Sequence, residues 1–133
     1  MGDLGSDIDH VVIGPPGMFT INTKTHPDKL IWANAKVITV DKRKTHYAKV
    51  ARTEADTATR LLTAALRHPV PVAPVISVVR GTVGGNHQPL GVTVVPVKKL
   101  VDWLLHQPVY YSPADVERVY AVARWSTTWQ PLG

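Results

Sequence analysis

Asp7, Asp9, Asn22 and Lys24 are the residues of this chain whose types and spacing suit chemistry on a phosphodiester. They fall within residues 7–26, DIDHVVIGPPGMFTINTKTH, on either side of Gly14-Pro15-Pro16-Gly17. Apolar residues alternate over 8–13 and again over 18–23, the period of strands, so the stretch reads as two antiparallel strands and a tight turn. With residues 14–17 as the loop, Asp9 faces Asn22 and Asp7 faces Lys24, with opposed Cβ atoms roughly 5 Å apart. Strand alternation puts all four on one face. It sends His10 to the other face, with Ile8, Phe19 and Ile21, where a packing role is expected. His26 follows Lys24 on the first face, and Pro27 is expected to break the strand.

The Asp9 carboxylate, the Asn22 amide oxygen and a neighbouring backbone carbonyl form an oxygen-donor set of the kind a Mg²⁺ or Mn²⁺ ion takes from protein. Lys24 would orient an attacking water or offset charge developing on the phosphoryl oxygens. Together these are the parts of metal-assisted hydrolysis. The same spacing also suits a solvated cross-strand ion pair between Asp and Lys, and the residue pattern leaves both readings open.

Several elements must position this face. Residues 30–32 and 36–40 read as a second pair of strands around Asn34, followed by a polar turn over 41–44. Ala55, Ala58, Leu61, Leu62, Ala65 and Leu66 recur at helical spacing, and Thr53 with Asp56 resembles a capping box, so a helix is expected over 53–67. Residues 70–79 are β-branched and apolar, which suits a buried strand; a glycine-rich connection over 81–91 leads to another strand over 92–97. A helix over 98–106 stops before Pro108. A last helix starts at the cap Ser112, with Pro113 in its first turn and Asp115 at its third position, and carries the stripe Val116, Val119, Tyr120 and Ala123. The order ββββαββαα implies an α/β fold with a mixed central sheet flanked by helices.

At 133 residues the chain suits one domain, 1–133. No apolar stretch approaches the roughly 18 residues of a membrane span, so a soluble, cytoplasmic protein is expected. The absence of cysteine excludes disulfides and thiolate metal sites. The net charge of +5 is concentrated in one place. Lys36, Lys42, Arg43, Lys44, Lys49 and Arg52 share a segment with a single acid, Asp41, while acids and bases balance over the rest of the chain. Such a field suits nucleic acid. It also suits a solvated loop beside a lysine-protected sheet edge.

The stretch SDIDHVVIGPPGMFTINTKTHP resembles the signature of the nuclease-related domain known as NERD, a branch of the PD-(D/E)xK endonuclease-like fold. YAKVARTEADTATRLLTAAL, VPVAPVISVV and the closing ARWSTTW extend the likeness over nearly the whole chain. The resemblance implies a restriction-endonuclease-like core, with a catalytic aspartate on one strand and an acid-x-lysine on the next. The aspartate falls on Asp9 and the lysine on Lys24. The acid falls on Asn22, a departure that replaces an anion by a neutral oxygen donor.

Family members usually also carry an N-terminal helix bearing a glutamate and a further strand before the hairpin. This sequence starts almost at the hairpin, so those elements are expected to be absent, leaving a truncated core. Asp7 would then supply a second carboxylate. The exposed edge left behind invites pairing with a second copy of the chain.

Two function classes therefore stand beside each other. One is a metal-dependent nuclease acting on DNA, with Asp9, Asn22 and Asp7 as ligands and Lys24 as the catalytic lysine. The other is a catalytically impaired module that keeps the fold for nucleic-acid binding or for oligomerisation, with Trp125 and Trp129 as candidate interface residues.

Overall fold

The computed structural model describes residues 10–85 and 88–124. Its elements are β1 (His10–Gly14), β2 (Gly17–Ala33), β3 (Ile38–Val40), β4 (Arg43–Lys44), α1 (Tyr47–Leu66), β5 (Val72–Gly84), a 3₁₀ turn (Pro89–Gly91), β6 (Thr93–Pro96), α2 (Val97–Leu105) and α3 (Pro113–Ala123). They form a mixed sheet in the order β4-β3-β2-β5-β6, with β1 paired to β2 beside that path. This is an α/β fold consistent with a restriction-endonuclease-like core.

The first hairpin has the register its turn dictates, with Ile13 opposite Met18 and His10 opposite Ile21. β2 then departs from expectation. Pro27 does not end it: the strand runs through 17 residues and merges the two strands expected on either side. Proline lacks a backbone donor and has a fixed φ, and a sheet tolerates it where the ladder is already interrupted. Here the pairing of β2 with β5 shifts register between Lys24 and Thr25 and again between Thr25 and Leu30, and Asp28 takes a left-handed φ of 62°. Gly81 of β5 lies beneath this bulge with φ +118°, where a Cβ would meet the His26 carbonyl oxygen at 2.9 Å. Only glycine takes that conformation in so little space without strain.

Beyond the bulge, β2 pairs antiparallel with β3 through a turn in which Asn34 Oδ1 accepts from the backbone N–H groups of Lys36 and Val37. β3 begins at Ile38 rather than at residue 36, because that turn occupies the residues before it. The expected polar turn includes two residues that pair as β4.

α1 begins at Tyr47, six residues before the expected start. The Thr53 hydroxyl donates to the Lys49 carbonyl inside the helix and caps nothing. The apolar stripe explains the longer helix: Ala48 and Ala51 continue Ala55, Ala58 and Leu62 back at intervals of three and four, and all five are buried. Arg67 closes the helix in a left-handed conformation, its N–H bonding the Thr63 carbonyl. The glycine-rich connection also begins late, because β5 continues to Gly84. α3 starts as expected, with Ser112 and Asp115 exchanging hydrogen bonds as a capping box behind Pro113.

Strand alternation divides the core into layers. Met18 of β2 and Val72 of β5 pack under Ala55, Ala58 and Leu62 of α1 and Val119 of α3. On the other face, Phe19, Ile21, Val75 and Val95 pack against Leu100, Trp103 and Leu104 of α2, with the Phe19 and Trp103 rings edge-to-face at 5.7 Å. β2 and β5 run parallel, and β5 also runs parallel to β6. No helix among the described residues is long and apolar enough to cross a membrane.

Candidate functional site

The site face of β2 lies beneath α1. Met18 meets the apolar part of the helix, and Asn22 and Lys24, further along the same strand face, meet polar and aromatic side chains of it. Asn22 Nδ2 donates to Glu54 Oε1 at 3.2 Å. Lys24 Nζ lies 4.3 Å from the centroid of the Tyr47 ring, within cation–π range. His26 Nε2 and the Tyr47 hydroxyl are 2.9 Å apart, and the two rings are stacked at 27° with centroids 5.8 Å apart. Tyr47 and Glu54 are seven residues apart, two turns of helix, so both can face the sheet together. Strand period and helix period thus bring Asn22, Lys24, His26, Tyr47 and Glu54 into one row.

Asn22 and Lys24 share a face, as expected, and both are half-buried. Asp7 and Asp9 lie outside the described residues, as do Trp125 and Trp129. His10 is on the expected face but exposed, so the packing role expected for it does not hold. It is the first residue of β1. His26 stays on the site face because β2 continues past it instead of breaking at Pro27.

Glu54 was not among the residues singled out from sequence. Expecting the helix to begin at Thr53 places Glu54 in an exposed first turn. With the helix begun at Tyr47, the residue falls inside the apolar stripe, three after Ala51 and four before Ala58. A carboxylate at a core position of an amphipathic helix is the signal that could have found it. Glu54 is only 8% exposed, and it is the only charged side chain in the buried set among the described residues.

Asn22 and Glu54 bring a side-chain amide and a carboxylate together, the amide nitrogen facing the carboxylate, and the oxygens of both groups are hard donors. Such hard donors fit a small divalent cation of the Mg²⁺ type better than a soft metal. Among the described residues no group of three or more histidine, aspartate or glutamate side chains gathers as a metal cluster, so these two alone would be only part of a ligand set.

The six basic residues of the charged segment lie at exposed positions between the end of β2 and the first half of α1. Lys36 lies in the turn before β3, Lys42 in the turn before β4, Arg43 and Lys44 on β4, and Lys49 and Arg52 on α1; all six are exposed. Arg118 and Asp115 form a salt bridge on α3.

A family model described as the nuclease-related domain matches residues 3–79. The match takes in the hairpin, α1 and most of β5, and it ends before α2, α3 and the closing ARWSTTW. No curated protein and no solved structure matches the chain. The chain belongs to the nuclease-related domain family.

Proposed function

We propose that this domain binds DNA and hydrolyses its phosphodiesters with the help of a divalent metal ion, Mg²⁺ or Mn²⁺. In this reading Asp9, Asn22 and Asp7 act as ligands and Lys24 as the catalytic lysine. The observation that carries the proposal is the shared β2 face of Asn22 and Lys24 beneath α1, in a chain of the nuclease-related family. What a divalent ion supplies when bound is activation of water and charge neutralisation at the phosphoryl group.

The chain's own residues do the rest. The Lys24 ammonium, steadied over the Tyr47 ring, points a cation at the oxygens on which charge develops. His26, held by the Tyr47 hydroxyl, fixes the ring that steadies Lys24. The exposed residues Lys36, Lys42, Arg43, Lys44, Lys49 and Arg52 neutralise phosphates on either side of the scissile one and set the register of the duplex.

Purified protein incubated with plasmid and Mn²⁺ or Mg²⁺ should nick it. Lys24→Ala and Asp9→Ala should each lower the rate by at least about tenfold, the scale of removing one electrostatic stabiliser. Cleavage unchanged in both variants would remove the site from consideration.

A second reading is favoured by one observation: position 22 is asparagine, where the family pattern has an acid. A domain retaining DNA binding without cleavage would still use the basic segment. Salt-sensitive binding together with no metal-dependent nicking would support it. Self-association through the outer edge of β1, which pairs with β2 alone among the described residues, would be a further property of that reading.

A further inference from the structure

We infer that Glu54 supplies the anionic metal ligand that position 22 lacks, so that the carboxylate of the site is delivered from helix α1 instead of from strand β2. The inference rests on the metal-dependent reading above and adds a ligand to it. The Glu54 carboxylate oxygen lies 3.2 Å from the side-chain amide of Asn22. Two neighbouring oxygens on an octahedral Mg²⁺, each bound at about 2.1 Å, stand about 3 Å apart. The spacing of the two side chains is therefore that of adjacent ligands on one small ion. Rotation of the Asn22 amide about its last torsion exchanges nitrogen for oxygen at that point, and a cation between the two groups would favour the oxygen.

Burial points the same way. Glu54 occupies a position of α1 between Ala51 and Ala58, where the neighbouring buried side chains are apolar. An ionised carboxylate in such a place is costly unless polar partners or a counter-charge receive it. Asn22 is one of the groups that receive it, and a divalent ion held between the two side chains would bind the same carboxylate. The two side chains together hold one carboxylate and one amide. That is the number of charges an acid at position 22 and an amide on the helix would also give, with the two groups exchanged between elements.

Mn²⁺ titration by calorimetry tests this without reference to cleavage. The wild-type chain should bind the ion, and Glu54→Gln, which keeps the size and one hydrogen-bonding end of the side chain, should weaken binding by at least about tenfold. The exchanged variant Asn22→Glu/Glu54→Gln should restore affinity to within about threefold of wild type, because it returns the carboxylate to the same point from the strand. Asn22→Glu alone, which needs no change on the helix, should tighten binding.

Unchanged affinity in Glu54→Gln, or an exchanged variant that melts like wild type yet stays weak, would overturn the inference. So would a wild-type chain that binds no Mn²⁺. Plasmid nicking separates the two proposals. Restored Mn²⁺ binding in the exchanged variant with no nicking by any form sustains the Glu54 ligand and removes the nuclease activity. Nicking that needs Lys24, with Mn²⁺ affinity indifferent to Glu54, does the reverse.

Discussion

Lys24 Nζ is seated 4.3 Å from the centre of the Tyr47 ring, so the lysine proposed for catalysis is held by a ring face on the first turn of the helix above it. A cation over an aromatic face gains about 0.5–2 kcal/mol, depending on how far it is desolvated. Tyr47 is a positioning residue in this arrangement. Tyr47→Phe keeps the ring and loses only the bond to His26, whereas Tyr47→Leu loses the face as well. Single-turnover nicking with saturating metal should fall by roughly tenfold in Tyr47→Leu, with little change in DNA affinity, and stay within about threefold of wild type in Tyr47→Phe. Equal losses in the two variants would show that the hydroxyl matters and the ring face does not.

DNA binding should depend on where positive charge is removed. Arg43→Glu/Lys44→Glu on β4 and Lys98→Glu/Lys99→Glu on α2 change the net charge equally, and all four residues are exposed. Fluorescence anisotropy against a short duplex should show the β4 pair weakening binding by more than about tenfold and lowering the salt slope by about one per lost phosphate contact. The α2 pair should change it little. Equal effects would mean that net charge alone attracts the DNA.

Caps separate the two helix starts that the sequence suggested. Ser112→Ala removes a side chain that accepts from the Asp115 N–H, and urea denaturation should report a loss of about 1 kcal/mol. Thr53→Ala removes a hydroxyl bonded back to Lys49 in the middle of α1, and should cost less than about 0.5 kcal/mol. A cost at Thr53 as large as that at Ser112 would contradict a helix that starts at Tyr47.

The α3 cap also makes stability respond to acid. Hydrogen bonds from the Ser112 side chain and then from its backbone N–H, together with Arg118, hold the Asp115 carboxyl below its ordinary value. A carboxylate depressed in the folded state adds stability above its unfolded value and loses it as the pH falls through the folded one. Asp115→Asn should therefore melt below wild type at neutral pH. The gap should close as the pH drops below about 4. A gap that persists or widens in acid would mean that the charge of Asp115 is not what stabilises the cap.

The bulge in β2 rests on one glycine. Gly81→Ala imposes a left-handed φ on a residue with a Cβ and drives that atom against the His26 and Lys29 carbonyl oxygens. It should destabilise the fold by more than about 1 kcal/mol. Gly14→Ala, with ordinary contacts and no such φ, serves as the control in the same denaturation series.

The parts of this fold that were legible in the sequence are those governed by short-range rules. The first hairpin follows from alternation and a proline-glycine turn, and α3 follows from Ser112-Pro113 and Asp115. The shared face of Asn22 and Lys24 needed only strand parity. The rest depended on tertiary context. Pro27 looks like a strand terminator until Gly81 on the neighbouring strand makes room for a bulge, and that neighbour is 54 positions away in the sequence. Glu54 looks like a surface residue until Tyr47, Ala48 and Ala51 lengthen the helix that carries it. The side chains that meet at the site come from a strand and a helix 32 residues apart, a pairing that no local pattern specifies.

α1 lies on the sheet through Ala48, Ala51, Ala55 and Ala58, side chains of a single methyl group each. Those methyls act as a gauge block: they set the height of the helix above β2, and through it the gap between Asn22 and Glu54. The reach of the site is thus fixed by residues that carry no functional group. A larger side chain at Ala51 or Ala55 would lift the helix and open the gap, while leaving all five polar residues of the row in place.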